Sequence, residues 1–93
     1  RKIAAIADTF HVPISPHNTK GPVGIIAATH LMASIPNVAP MELVTGIEWR
    51  DEIIAEPLVI EESCVVLPEG PGWGIELDME GVERHRWRPG DPR

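Results

Sequence analysis

The chain has 93 residues and a mass of 10.2 kDa. This length allows one small domain and excludes a complete barrel of eight βα units, which needs roughly 250 residues. The 8 Lys and Arg residues against 14 Asp and Glu give a net charge of −6, so we expect no nucleic-acid partner. The sequence holds no run of 18 apolar residues, and we therefore expect no membrane span.

The single cysteine, Cys64, excludes an intramolecular disulfide framework and favours a reducing, cytoplasmic compartment. The chain opens Arg-Lys-Ile, without an initiator methionine or a signal-peptide pattern. Such a start is typical of a processed product or of a piece of a longer protein, and we favour the second interpretation.

The first half of the chain alternates between helical and extended patterns. Apolar residues in residues 1–10 recur at the spacing of one helix face, and residues 12–15 follow as a short strand. Asn18 and Thr19 can cap a helix over residues 21–35, and residues 40–44 form a second strand candidate. A strand–helix–strand unit of this length predicts a right-handed parallel crossover. The predicted fold class is therefore α/β.

The helix at 21–35 is apolar around most of its circumference. Such a helix is buried on most sides. A chain of 93 residues supplies too little cover for it, so we expect the cover to come from the rest of a longer chain or from a homo-oligomer partner.

The second half has a different pattern. Residues 58–60 and 64–67 are rich in β-forming side chains and are separated by three polar residues, which predicts a β-hairpin. The glycines of residues 70–74 indicate a turn that needs positive φ. Residues 79–87 are predicted to form one or two helical turns.

Two residues are candidates for an active site, because parallel α/β folds carry their catalytic and binding residues at the carboxyl ends of the strands. His17 follows the first strand and can exchange a proton near neutral pH, or it can only help to cap the helix. Glu42 lies within the second, apolar strand, where a carboxylate either faces a polar pocket or is held by a structural partner. By contrast, His30 is expected to be packed and hydrogen-bonded, and His85 to face solvent. The four histidines lack the paired spacing of a zinc site.

Several stretches together resemble the C-terminal end of the enolase superfamily, in particular the mandelate racemase-like acid-sugar dehydratases of the galactonate dehydratase kind. They are residues 16–22 (Pro-His-Asn-Thr-Lys-Gly-Pro), 27–31, 36–37, 41–42 and 67–78. The resemblance covers roughly residues 1–87. It implies the last βα units of a (β/α) barrel, then a β-hairpin and a segment that returns to a capping domain. We place the barrel part at residues 1–57 and the hairpin with the return segment at residues 58–93.

The resemblance also implies a chemistry. His17 matches an acid/base histidine that abstracts the proton α to a sugar-acid carboxylate, and Glu42 matches a glutamate that hydrogen-bonds the substrate. The implied cofactor is Mg²⁺, whose ligands match nothing in this sequence, and neither does the aspartate that pairs with the histidine. The expected function is therefore that of part of a hydro-lyase, inactive when isolated. A racemase or epimerase of the same superfamily, or a small non-enzymatic binding module, is the alternative.

Overall fold

A computed structural model of the protein describes residues 1–19, 21–44 and 46–91, so the last two residues of the predicted 58–93 segment lie outside the described residues. Its elements, in chain order, are α1 (Lys2–Thr9), α2 (Pro22–Ala33), a 3₁₀ helix (Glu48–Ile53), β1 (Ile60–Glu61), β2 (Cys64–Val65) and α3 (Met79–Arg84). None of the helices in this described part is both long and apolar enough to cross a bilayer.

The segments before and after α2 pair with each other in the parallel direction. Ile14 forms a parallel bridge with Val38. The Ile14 N–H donates to the Asn37 carbonyl at 2.7 Å, and the Ala39 N–H donates to the Ile14 carbonyl at 2.8 Å. The predicted parallel direction is confirmed. The predicted position of the second strand, residues 40–44, is wrong, because the bridge forms before Pro40.

Pro16 explains why the pairing is so short. It has no backbone N–H, so it cannot donate to the Ala39 carbonyl at the next step of the ladder. In a regular parallel ladder Pro16 would pair with residues 39 and 41. Instead the N–H that reaches the Pro16 carbonyl, at 3.1 Å, belongs to Glu42. The pairing therefore slips by one residue, as in a β-bulge, and such a slip re-aims the side chains that follow it.

Helix α2 begins at Pro22, with Gly21 as its N-cap. Proline suits the first helical position because its missing N–H would have no partner there. The expected caps are wrong: among the described residues no side chain caps this helix, and Asn18 lies buried before it. Ile25 and Ile26 are 1% and 0% exposed. The 3₁₀ helix packs on the start of α2, since a Cβ added to Gly21 would lie 3.6 Å from the Ile53 Cδ1 atom.

The buried core is small for a chain of this length. Its apolar members among the described residues are Ala4, Ile25, Ile26 and Ile54. The apolar face predicted for α1 exists but is open to solvent, because Ile3, Ile6 and Phe10 are 65–79% exposed. The radius of gyration is 15.1 Å, whereas a compact chain of 100 residues has about 13 Å. The chain is therefore elongated and carries large apolar surfaces.

Strands β1 and β2 pair antiparallel, with Ile60 opposite Val65 and Glu61 opposite Cys64. The two residues between them, Glu62 and Ser63, have φ of 48° and 66°. Such left-handed pairs give the turn that matches the twist of a hairpin. In the following loop Gly74 has φ +73°, and a Cβ there would lie 2.5 Å from the Pro68 Cβ. Only glycine fits this turn without movement of its neighbours.

Helix α3 docks on the 3₁₀ helix. Asp78 caps it by accepting a hydrogen bond from the Glu80 N–H at 3.0 Å. A Cβ added to Gly81 would lie 1.8 Å from the Glu52 carbonyl oxygen, so the two backbones are in direct contact. Arg84 and His85 both reach the Glu52 carboxylate at 3.0 Å. The last helix is thus fixed to the middle of the chain by a close backbone contact and a charged cluster.

Candidate functional site

The two residues singled out in the sequence meet at the carboxyl edge of the parallel pairing. His17 follows the Ile14 bridge, and Glu42 follows the Val38 bridge after the slip at Pro16. The Nδ1 atom of His17 is hydrogen-bonded to the Oε2 atom of Glu42. The side chains are 74% and 52% exposed, respectively. The structure therefore joins them in one exposed pair, with a free approach from solvent.

This contact determines which ring nitrogen is available for proton transfer. A carboxylate accepts hydrogen bonds, so the His17 Nδ1–H donates to Glu42. In the neutral ring the second nitrogen, Nε2, then carries the lone pair. A carboxylate that holds one nitrogen of a histidine orients the ring and stabilises the imidazolium that forms when the other nitrogen takes a proton. The pair can thus act as a general base with its own orienting group.

Residues 40–42 are attached to the first strand by two hydrogen bonds. The Ser15 hydroxyl donates to the Pro40 carbonyl at 2.7 Å, and the Glu42 N–H donates to the Pro16 carbonyl at 3.1 Å. Sequence reasoning did not single out Ser15. A hydroxyl next to a proline that lacks its own N–H is the signal that could have identified it.

Two of the other three histidines, His30 and His85, have structural partners. The His30 Nε2–H donates to the Trp73 carbonyl at 3.1 Å, and the two rings lie 5.6 Å apart, so the prediction of a packed, hydrogen-bonded histidine is confirmed. His85 is an exposed residue, as predicted, but its side chain is 27% exposed and is hydrogen-bonded to Glu52, which was not predicted. That partner is 33 residues away in the sequence, and no local pattern indicates it.

The charged cluster on α3 shifts the titration of one carboxyl group. The hydrogen bond from His85 is the largest cause that lowers the pKa of Glu52 below its ordinary value of 4.5, and the positive charges of His85 and Arg84 lower it further. A carboxyl group with a lowered folded-state pKa stabilises the fold above its unfolded-state pKa. This stabilisation is lost as the pH falls through the lowered pKa.

We therefore expect acid to weaken the attachment of α3. In urea unfolding of the chain at pH values from 7 to 3, the wild type should lose more stability on acidification than Glu52→Gln, which cannot titrate at this position. Glu83→Gln, at an exposed glutamate of the same helix, is the matched control and should follow the wild type. Equal pH dependence in the wild type and Glu52→Gln would contradict the assignment.

The donors present do not fit a magnesium ion. Within residues 1–19, 21–44 and 46–91, no three His, Cys, Asp or Glu side chains are grouped to hold a metal. Magnesium takes an octahedral set of oxygen ligands and is usually anchored by one or two carboxylates together with substrate oxygens and water. At the His17 pair the only carboxylate, Glu42, is occupied by the histidine. The described residues therefore do not form a magnesium site by themselves.

The profile of the family described as "Enolase C-terminal domain-like" matches residues 1–81. The chain belongs to this family. The resemblance to the enolase superfamily drawn from the motifs is thereby confirmed.

Curated relatives carry dehydratase names. The chain is 35% identical over 86 residues to a D-xylonate dehydratase of Haloferax volcanii, a match that covers 91% of the chain and 21% of the relative. It is 32% identical over 92 residues to a D-gluconate dehydratase of Thermoproteus tenax, covering 97% of the chain and 18% of the relative. The chain thus spans about a fifth of the length of these relatives.

Solved structures share the fold of the chain. A mandelate racemase/muconate lactonizing enzyme-like protein from Rubrobacter xylanophilus superposes with a TM-score of 0.85 at 33% identity, over 95% of the chain and 23% of that protein. A protein from Burkholderia xenovorans, assigned as an L-alanine-DL-glutamate epimerase and bound to magnesium and fumarate, gives a TM-score of 0.82 at 29% identity, over 90% of the chain and 21% of that protein. The family therefore includes proteins named for different reactions.

Proposed function

We propose that this chain is the C-terminal part of a (β/α) barrel enzyme that dehydrates a sugar acid. The observation that carries the proposal is the hydrogen bond between His17 and Glu42 at the carboxyl edge of a parallel pairing. Catalytic groups of α/β enzymes gather at this edge. The dehydratase names of two relatives support the reaction class.

The proposed first step is a proton transfer to His17. The Nε2 lone pair takes the proton bonded to C2 of the sugar acid, and the C–H electron pair passes into an enediolate of the carboxylate. Glu42 holds the Nδ1–H through Oε2, and its second oxygen contacts the substrate. Because the ring is oriented before the substrate arrives, little reorganisation accompanies the transfer.

The proposed second step expels the hydroxyl group at C3. The enediolate electron pair forms the C2–C3 double bond as the C3–O bond breaks, and the His17 imidazolium returns its proton to the leaving oxygen, which departs as water. The resulting enol tautomerises to a 2-oxo-3-deoxy acid. The substrate thus equals the product plus one water, and His17 ends in its starting state.

Family membership supports the remaining parts of the proposal. We propose that residues 1–57 are the end of the barrel and that residues 58–93 are the segment of the hairpin and of the return to a capping domain. Mg²⁺ is the proposed cofactor, with carboxylate ligands that lie outside the described residues. The exposed apolar face of α1 and the elongated shape support a chain that is covered by further protein. A cytoplasmic location also stays a proposal.

A racemase or epimerase is the second candidate, favoured by the racemase and epimerase names of the two solved structures. Both reactions begin with the same abstraction of the α-proton. They differ in the next event, since a racemase returns a proton to the opposite face of C2 instead of expelling the C3 hydroxyl.

The test is a substrate panel with the complete enzyme that contains this segment. D-xylonate, D-gluconate and D-galactonate are each incubated with the enzyme, and the 2-oxo acid is measured. We expect at least one of them to turn over at about 1–10³ s⁻¹, the ordinary range for enzymes. A change of configuration at C2 without 2-oxo acid would favour the racemase. If neither product forms from any of these acids, the dehydratase proposal is contradicted.

A further inference from the structure

The 3₁₀ helix holds an arginine that is unusually well covered for such an open molecule. The Arg50 side chain is 11% exposed, whereas the neighbouring Trp49 residue is 43% exposed. Arginine is rarely buried unless its charge and its N–H groups are matched. The partners of Arg50 should therefore indicate what the residue does.

The guanidinium group of Arg50 donates to two different partners. The Nε and Nη2 atoms donate to the two carboxylate oxygens of Asp51 at 3.0 and 3.2 Å. The remaining terminal nitrogen, Nη1, donates to the Val44 carbonyl at 3.0 Å. The fork to Asp51 neutralises the charge and fixes the plane of the group. The planar group then directs Nη1 at one backbone carbonyl.

That carbonyl lies just downstream of the candidate site. Val44 is two residues after Glu42, about 6–7 Å along an extended chain. Upstream, the segment is anchored to the first strand through Ser15 and Pro16. Downstream, the bond from Arg50 attaches it to the 3₁₀ helix, which itself packs on the start of α2.

We propose that Arg50 is a positioning residue for Glu42, which it fixes through the Val44 carbonyl. This inference rests on the function proposed above. Because the strand pairing slips at Pro16, a regular ladder does not set the direction of the Glu42 side chain. With the bond from Arg50 to Val44, the backbone is held on both sides of Glu42. This keeps the Glu42 carboxylate in place to accept the hydrogen bond from Nδ1 of His17.

The test is a double-mutant cycle on kcat in the complete enzyme, with the sugar acid that it turns over best. Arg50→Met should lower kcat by about 10- to 100-fold, the size expected when a catalytic group is displaced by about 1 Å. In a Glu42→Gln background the same change should lower kcat by less than about twofold, because the group it positions is already disabled. Arg50→Lys retains a donor for the Val44 carbonyl and should lie closer to the wild type than Arg50→Met.

Arg86→Met is the matched control, since Arg86 is a 68% exposed arginine just after the end of α3 that pairs with Glu83. It should leave kcat within about twofold of the wild type. Equal losses from Arg50→Met in both backgrounds would overturn the inference and assign Arg50 a general structural role. If Arg50→Met does not fold, the comparison is made with Arg50→Gln, which keeps a polar side chain but lacks the fork to Asp51 that fixes the guanidinium plane. A Glu42→Gln enzyme with normal turnover would instead contradict the proposed role of Glu42 itself.

Discussion

Replacement of His17 by asparagine in the complete enzyme is expected to lower the turnover number by about 10²–10⁴-fold, the usual contribution of a general acid/base. Asparagine retains a polar side chain that can contact Glu42, but it has no nitrogen that takes up a proton near neutral pH. Both proposed steps need the same nitrogen, first as a base and then as an acid. Formation of the 2-oxo acid under substrate saturation measures the loss.

His11→Asn is the matched control for this substitution. His11 is an exposed histidine six residues upstream of His17, and its replacement should leave the turnover number unchanged. Its φ of 55° lies in the left-handed region, which asparagine adopts readily. A His17→Asn enzyme with activity close to that of the wild type would remove His17 from the mechanism.

Replacement of Ile26 by alanine is expected to have the largest effect on stability. Ile26 is 0% exposed and lies at the centre of α2. Truncation of a buried isoleucine to alanine costs about 2–5 kcal/mol in lost burial and residual cavity. A core with so few buried apolar side chains supplies little more than this amount. We therefore expect the 93-residue chain to lose its cooperative urea transition, followed by circular dichroism at the helix band.

Val23→Ala on the same helix is the control. Val23 is 39% exposed, and a substitution at such a position usually changes stability by about 0.5 kcal/mol. The transition should therefore survive in this variant. Similar unfolding curves for the two variants would mean that α2 does not bury Ile26 in solution.

The local elements could be predicted because their causes are local. The periodicity of residues 1–10 corresponds to α1, and the proline at position 22 marks the start of α2, as it suits a first helical turn. The parallel direction of the two strands follows from the length of the crossover. The meeting of His17 with Glu42 follows in turn, since residues that end parallel strands share one edge.

The register and the long-range contacts could not be predicted. The apolar side chains of residues 40–44 predict a strand there, whereas the bridge forms at Val38 and the regular ladder ends at Pro16, which has no N–H to donate. The Glu52 cluster joins residues more than 30 positions apart. Arg50 carries no distinguishing local pattern, because its role depends on the path of the chain between Val44 and the 3₁₀ helix.

Release of deuterium from C2 of a deuterated sugar acid measures the proposed proton transfer itself. The complete enzyme is incubated with its best sugar acid labelled at C2, and deuterium in the solvent is followed by NMR for the wild type and His17→Asn. We expect the wild type to release the label as the 2-oxo acid forms, with a slower rate than for unlabelled substrate when proton transfer limits turnover. His17→Asn should release it about 10²–10⁴-fold more slowly. A 2-oxo acid that carries the label at C3, as a direct hydride shift from C2 would give, or release at the wild-type rate from His17→Asn, would contradict the assignment of His17 as the base.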